Sequence, residues 1–119
     1  MSDLVAFVQK NHMEVVNLKD GNVAQGDGAF TTTRLLVGNF KVAEELLTRL
    51  VKDVKSKGLF SIEPRLLFQP LEMTEGGLCE VEERVFLELG ASAGARHVKV
   101  HIGTKLTAQT ALEVINARE

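Results

Sequence analysis

Apolar and polar positions alternate most legibly over residues 65–95, RLLFQPLEMTEGGLCEVEERVFLELGASAGA. The run Leu66-Leu67-Phe68 lies between Pro64 and Pro70 and is too short for a helix of its own. It predicts a strand buried on both faces and ended by Pro70. From Leu78 the apolar residues fall at Leu78, Val81, Val85 and Leu89, with Phe86 and Ala93 beside them. That is the helical period of about 3.6 residues, and it predicts a helix lying on a sheet. Glu80, Glu82, Glu83, Arg84 and Glu88 occupy the other positions. The early carboxylates suit a helix N-terminus, and Gly94 suits its C-terminal stop.

Before this stretch, residues 4–8 (LVAFV) predict a first strand, Gln9-Lys10-Asn11-His12 a polar turn, and residues 13–19 (MEVVNLK) a second strand. Asp20-Gly21 suits a tight hairpin turn that returns the chain antiparallel through residues 22–25. Gly26-Asp27-Gly28 and Thr31-Thr32-Thr33 break the pattern and Leu35-Leu36-Val37 resumes it. A third strand that is bulged, or split around a loop, is therefore expected, with its register over residues 22–38 open. Asn39 is placed to cap a helix whose apolar face is Val42, Leu46, Leu47, Leu50, Val51 and Val54, and Gly58 to end it. Glu44, Glu45, Arg49, Lys52, Asp53 and Lys55 solvate its other face.

Residues 97–102 alternate strictly, with Val98, Val100 and Ile102 opposite His97, Lys99 and His101. They predict a half-exposed strand near a sheet edge. Thr107 can cap a last helix with Ala108, Ala111, Leu112 and Ile115 on its apolar face. The order βββαβαβα predicts an α/β domain spanning 1–119, a mixed five-stranded sheet with three helices and right-handed crossovers. This order matches the ribonuclease H-like fold, which also builds each half of the actin and sugar-kinase ATPases.

Composition narrows the function classes. At 119 residues, 45% hydrophobic and 25% charged, the chain suits one folded core, and a net charge of −2 supplies no basic field for nucleic acid. A single cysteine, Cys79, excludes an intramolecular disulfide, and no basic segment followed by a long apolar one opens the chain. A cytoplasmic protein without a membrane span is expected, with Cys79 as a small packing residue.

Few residues suggest chemistry. Gly26-Asp27-Gly28 lacks the Lys-Ser/Thr and attached helix of a phosphate loop and reads as a turn. His97 and His101, four apart on a strand, would stand about 13 Å from one another, too far for one metal ion. Glu80, Glu82, Glu83 and Glu88 read as solvated carboxylates, so no metal site is expected. Gly76-Gly77 could admit a ligand close to the backbone ahead of a helix, although a plain turn also accounts for it.

With these elements in order, the chain resembles the rod-shape-determining bacterial actins of the MreB type. Pro70, then Cys79-Glu80-Val81-Glu82-Glu83-Arg84-Val85, then Leu89-Gly90-Ala91-Ser92-Ala93-Gly94-Ala95-Arg96-His97-Val98 fall where that family carries a strand ending in Pro, a segment like TEVERRA and a helix ending in LGAGAREV. Residues 42–54 and 4–19 match the family's preceding helix and opening strand pair. The resemblance implies one half of an actin-like ATPase and places Glu82 at the water-activating carboxylate. The chain departs from the family where nucleotide is held. Phe7-Val8-Gln9-Lys10-Asn11-His12 has neither the Asp nor the Gly of the Asp-x-Gly-Thr phosphate loop, and only one half of the actin-like pair is expected, without the second half and its own loop. Residues 71–78 are an insertion ahead of Glu82, and Gly103-Thr104-Lys105 stands where the family has Glu-Glu-Pro.

The expected function is therefore a non-enzymatic assembly or interaction protein that keeps the scaffold and has no cofactor. Its expected partners are a second copy in a homodimer, or a full-length bacterial actin homologue. The rival is a small nucleotide- or ligand-binding enzyme that uses the Gly76-Gly77 turn, with Glu82 as general base.

Overall fold

The computed structural model describes residues 3–54 and 63–117. Its elements are β1 (Asp3–Gln9), β2 (His12–Asn17), β3 (Val23–Asp27), α1 (Phe40–Val54), β4 (Arg65–Pro70), α2 (Glu80–Ser92), β5 (His97–Val100) and α3 (Ala108–Asn116). They form an α/β domain whose five-stranded sheet runs β3-β2-β1-β4-β5. β1, β2 and β3 pair antiparallel, whereas β4 joins β1, and β5 joins β4, in parallel.

Alternation along the central strands makes two cores. Leu4, Ala6, Val8, Leu66 and Phe68 lie with Met13 and Val15 beneath α1 and α2, while Val5, Phe7 and Leu67 pack with Ala111 and Ile115 of α3 on the opposite face. β1 and β4 thus bury both faces, which is why they read as continuous apolar runs. At their first residues, Asp3 holds Arg65 through Nε at 2.7 Å and Nη2 at 2.9 Å, and Arg65 Nη2 also donates to Asn116 Oδ1 at 2.9 Å. The hydrogen bond to Asp3 raises the Arg65 pKa further, with coulombic attraction adding to it and burial opposing it. The guanidinium is therefore charged at any ordinary pH, and the ends of two strands and a helix are joined through one group.

Helix α2 sits close to the sheet at Gly90. A Cβ there would stand 2.5 Å from Val98 Cγ2, 2.9 Å from Val98 Cγ1 and 3.1 Å from Phe68 Cε2. Val98 is β-branched on a strand and has little rotamer freedom to move aside. Gly90→Ala is expected to destabilise the fold, because overpacking costs about 1–3 kcal/mol against the roughly 1 kcal/mol that alanine gains over glycine in a helix. The urea midpoint should fall, and Val98→Ala in the same chain should recover most of the loss.

Several expectations are corrected. Gly26-Asp27 does not interrupt the third strand but lies within it. A Cβ on Gly26 would meet Arg49 Nη2 at 2.6 Å and Leu46 Cδ1 at 3.0 Å, so glycine there lets α1 approach the sheet. Leu35-Leu36-Val37 is not strand. Residues 28–39 form a loop that folds into the main core, with Phe30 fully buried and Leu36 and Val37 buried beside it, and both Gly38 N and Asn39 N donate to Phe30 O. The second strand stops at Asn17, which is buried and donates from Nδ2 to Val54 O at 2.8 Å. On α1 Leu46, Leu47, Leu50, Val51 and Val54 are buried as expected, but Ala43 joins them in place of Val42, which is exposed; on α2 the buried positions are Phe86, Leu89 and Gly90, with Val81 pointing to solvent. Ile102 lies outside β5 and is exposed. Cys79 is exposed at the α2 N-cap rather than packed. The helix stop expected at Gly58, and Lys55, fall outside the described residues.

Other expectations hold. Gly94 adopts φ +91 just after α2, Thr107 accepts from Thr110 N to cap α3, and β5 is an edge strand.

Candidate functional site

In an open α/β sheet the carboxyl ends of parallel strands are the usual place for a ligand. Here those ends are Val8-Gln9 of β1 and Gln69-Pro70 of β4, and the adjoining β1–β2 turn is Lys10-Asn11. A turn of two residues requires positive φ, and Asn11 supplies it at 56°.

The turn is closed by its own surroundings. Lys10 N donates to Glu72 Oε2. Asn11 N donates to Thr31 Oγ1 at 2.9 Å, and Thr31 N returns a bond to Asn11 Oδ1 at 2.9 Å. Thr31 Oγ1 also donates to Leu36 O at 2.7 Å, Gly28 N donates to Asn11 O at 3.0 Å, and Leu71 N donates to Val8 O at 2.8 Å. His12 Nδ1 lies 2.7 Å from Asp27 Oδ1 on the flank of the turn. Both turn amides that a phosphate would need are therefore engaged, one of them by a carboxylate.

The residues singled out from sequence lie elsewhere. Gly76 and Gly77 both have positive φ, +78 and +85, with no atom within 4 Å of where a side chain would begin, and Gly77 N donates to Thr74 O at 2.9 Å. This is turn chemistry in an open loop. Glu82 accepts from Cys79 N at 3.3 Å and so closes the first turn of α2. Its other neighbours are Leu35, Leu36, Val37, Val81, Val85 and Phe86, which line a shallow apolar recess with room for about one water molecule. Among the described residues no hydrogen bond joins Glu82 to Gly76 or Gly77. Among the described residues no three His, Cys, Asp or Glu side chains come together as a metal site. Glu80, Glu83 and Glu88 are exposed along α2.

Sequence reasoning missed the Glu72 and Thr31 contacts, because both come from loops far along the chain. It also missed Gln69. This side chain is fully buried in β4, donates from Nε2 to Gly103 O at 3.1 Å and Thr104 O at 2.8 Å, and accepts from Leu106 N at 2.9 Å. It fixes the segment that leads from β5 into α3. Asn11 carried a usable signal, since asparagine in a two-residue turn tolerates the left-handed region.

These features define a mixed α/β domain whose central strand ends are sealed by side chains of its own loops, and among the described residues no helix is long and apolar enough to cross a membrane. The chain is 38% identical over 98 residues to the uncharacterized protein YjaA of Escherichia coli (strain K12), an alignment covering 78% of this chain and 77% of that protein. It belongs to the YjaA family. No protein-family model matches the chain.

Proposed function

We propose that this chain is a non-enzymatic assembly or interaction protein, built on a ribonuclease H-like scaffold of the actin type and lacking a competent nucleotide site. The strand order β3-β2-β1-β4-β5, with an antiparallel triplet followed by two parallel strands each reached through a helix, supports the scaffold. The resemblance to the MreB-type bacterial actins supports the same reading. Contact with a second copy or with a full-length bacterial actin homologue, and residence in the cytoplasm, belong to it.

One observation carries the functional part. At the turn where an actin-like ATPase presents backbone N–H groups to phosphate, Lys10 N and Asn11 N donate to Glu72 and Thr31. A phosphate entering there would have to displace both acceptors and would meet the Glu72 carboxylate as a like charge. Glu82 does not compensate, since its carboxylate caps α2 beside a recess far too small for a nucleotide.

The test is thermal stability with ATP or ADP and magnesium. A ligand at 100 times its Kd adds about 2.7 kcal/mol to the native state, a rise of roughly 10 °C for a domain of this size. The melting temperature is expected to stay within about 1 °C at millimolar nucleotide, and no hydrolysis above the blank is expected. A rise of several degrees would overturn the reading, as would ATP turnover that disappears in Glu82→Gln.

A further inference from the structure

We propose that the cleft between the amino ends of β4 and β5 and the last turn of α3 binds the carboxylate of a small organic acid. It lies at the end of the sheet opposite the Lys10-Asn11 turn, and it goes beyond the reading above without depending on it.

The strand register gathers basic side chains there. Asp3, Arg65 and His97 are consecutive partners across β1, β4 and β5, with backbones about 4.8 Å apart, and Lys99 stands two residues, about 6.6 Å, further along β5. All three basic side chains lie on the α3 side of the sheet. Arg65 Nη2 reaches Asn116, and Lys99 Nζ donates to Val114 O at 3.0 Å and to Ala117 O. With His97 they line a cleft of about 360 Å³, walled on the helix side by Ile115 and Ala117. Sites for small molecules begin at about 300 Å³. No Asp or Glu side chain lines the cleft, although Asp and Glu (16) outnumber Lys and Arg (14) in the chain.

Internal bonds leave donors over. Asp3 takes the Nε and Nη2 edge of the Arg65 guanidinium and Asn116 takes the second Nη2 hydrogen, so Nη1 stands on the side away from β1, where β5 is the neighbouring strand. Of the three N–H groups of Lys99, two go to α3 and one remains. His97 is exposed and forms no ion pair or hydrogen bond among the described residues.

The charge balance selects the ligand. Asp3 offsets Arg65, and the carboxyl end of α3, equivalent to about half a negative charge, offsets part of Lys99. About half a positive charge is left when His97 is neutral. That favours a monoanion over a phosphate dianion, and the planar guanidinium suits a carboxylate.

Amide-resolved nuclear magnetic resonance of the full chain tests this with benzoate, with benzamide as a neutral molecule of the same shape, and with inorganic phosphate. Benzoate at millimolar concentration is expected to give saturable shifts centred on His97, Lys99 and Ala117, benzamide none, and phosphate weaker binding than benzoate. Lys99→Met should weaken benzoate about tenfold or more, the usual effect of losing a hydrogen bond to a charged group. Because Lys99 also holds the end of α3, circular dichroism establishes that this variant is folded. His97→Ala touches no internal bond and should weaken benzoate severalfold. The absence of saturable shifts at tens of millimolar benzoate overturns the proposal, as do an equal response to benzamide, tighter binding of phosphate, or an affinity that neither variant moves.

Discussion

Phe68→Ala is expected to lower the unfolding free energy by about 3–5 kcal/mol, the usual cost of emptying a large aromatic site in a core. Phe68 is fully buried in β4, paired in register with Ala6 of β1 and Val100 of β5, and its ring lies 5.2 Å from that of Phe86 on α2 at 44°. The surroundings have little freedom to collapse into the space left behind. The strand is held on both sides by backbone ladders, and α2 already touches Val98 through Gly90. Urea unfolding should show a lower midpoint with an unchanged slope, because the surface exposed on unfolding is nearly the same. A loss below about 1 kcal/mol would mean that α2 settles onto the sheet, contrary to the packing described here. Phe68→Leu should cost distinctly less.

Gln69→Leu is the second large effect, expected to cost about 2–4 kcal/mol. Leucine is similar in volume and apolar, so the packing of β4 changes little. What is lost is the pairing of three backbone groups, Gly103 O, Thr104 O and Leu106 N. Each polar group left buried without a partner costs about 1–3 kcal/mol, and water reaching the exposed segment offsets part of the sum. The consequence should also be local. Hydrogen exchange at the Leu106 amide should accelerate more than at amides of β1, because the segment leading to α3 loses its anchor while the sheet does not. Uniform acceleration, or none, would contradict that role for Gln69.

These two residues illustrate what the sequence revealed and what it concealed. Leu66-Leu67-Phe68 between two prolines was legible as a doubly buried strand because both faces of β4 carry apolar side chains. The helices α1 and α3 were legible by period and by the threonine cap. The third strand was not, because the glycine that suggested a break, Gly26, is there to admit Leu46 and Arg49 from a helix that arrives later in the chain. Leu35-Leu36-Val37 misled for a related reason: a loop anchored by Phe30 buries apolar residues as a strand would. On α2 the apolar period continued to Val81, yet that residue is exposed, so periodicity overstated the buried stripe.

The site was less legible than the fold. The missing Asp and Gly at residues 7–12 could be read directly, but not the bonds that fill the turn. Those come from Thr31, twenty residues on, and from Glu72, sixty-two residues on, inside the stretch that read as an insertion. Gly76 and Gly77 drew notice as a glycine pair ahead of a helix, and Glu82 through the family resemblance. Two of them serve an open turn and the third a helix cap.

The central claim is that the Lys10 and Asn11 amides are held by the chain's own side chains and take no phosphate. Amide-resolved nuclear magnetic resonance spectra of the full chain, recorded as magnesium and ATP are added to millimolar concentration, test it most directly. The account predicts that both resonances keep their positions. Saturable shifts centred on Lys10 and Asn11, with release of Glu72 and Thr31, would contradict it.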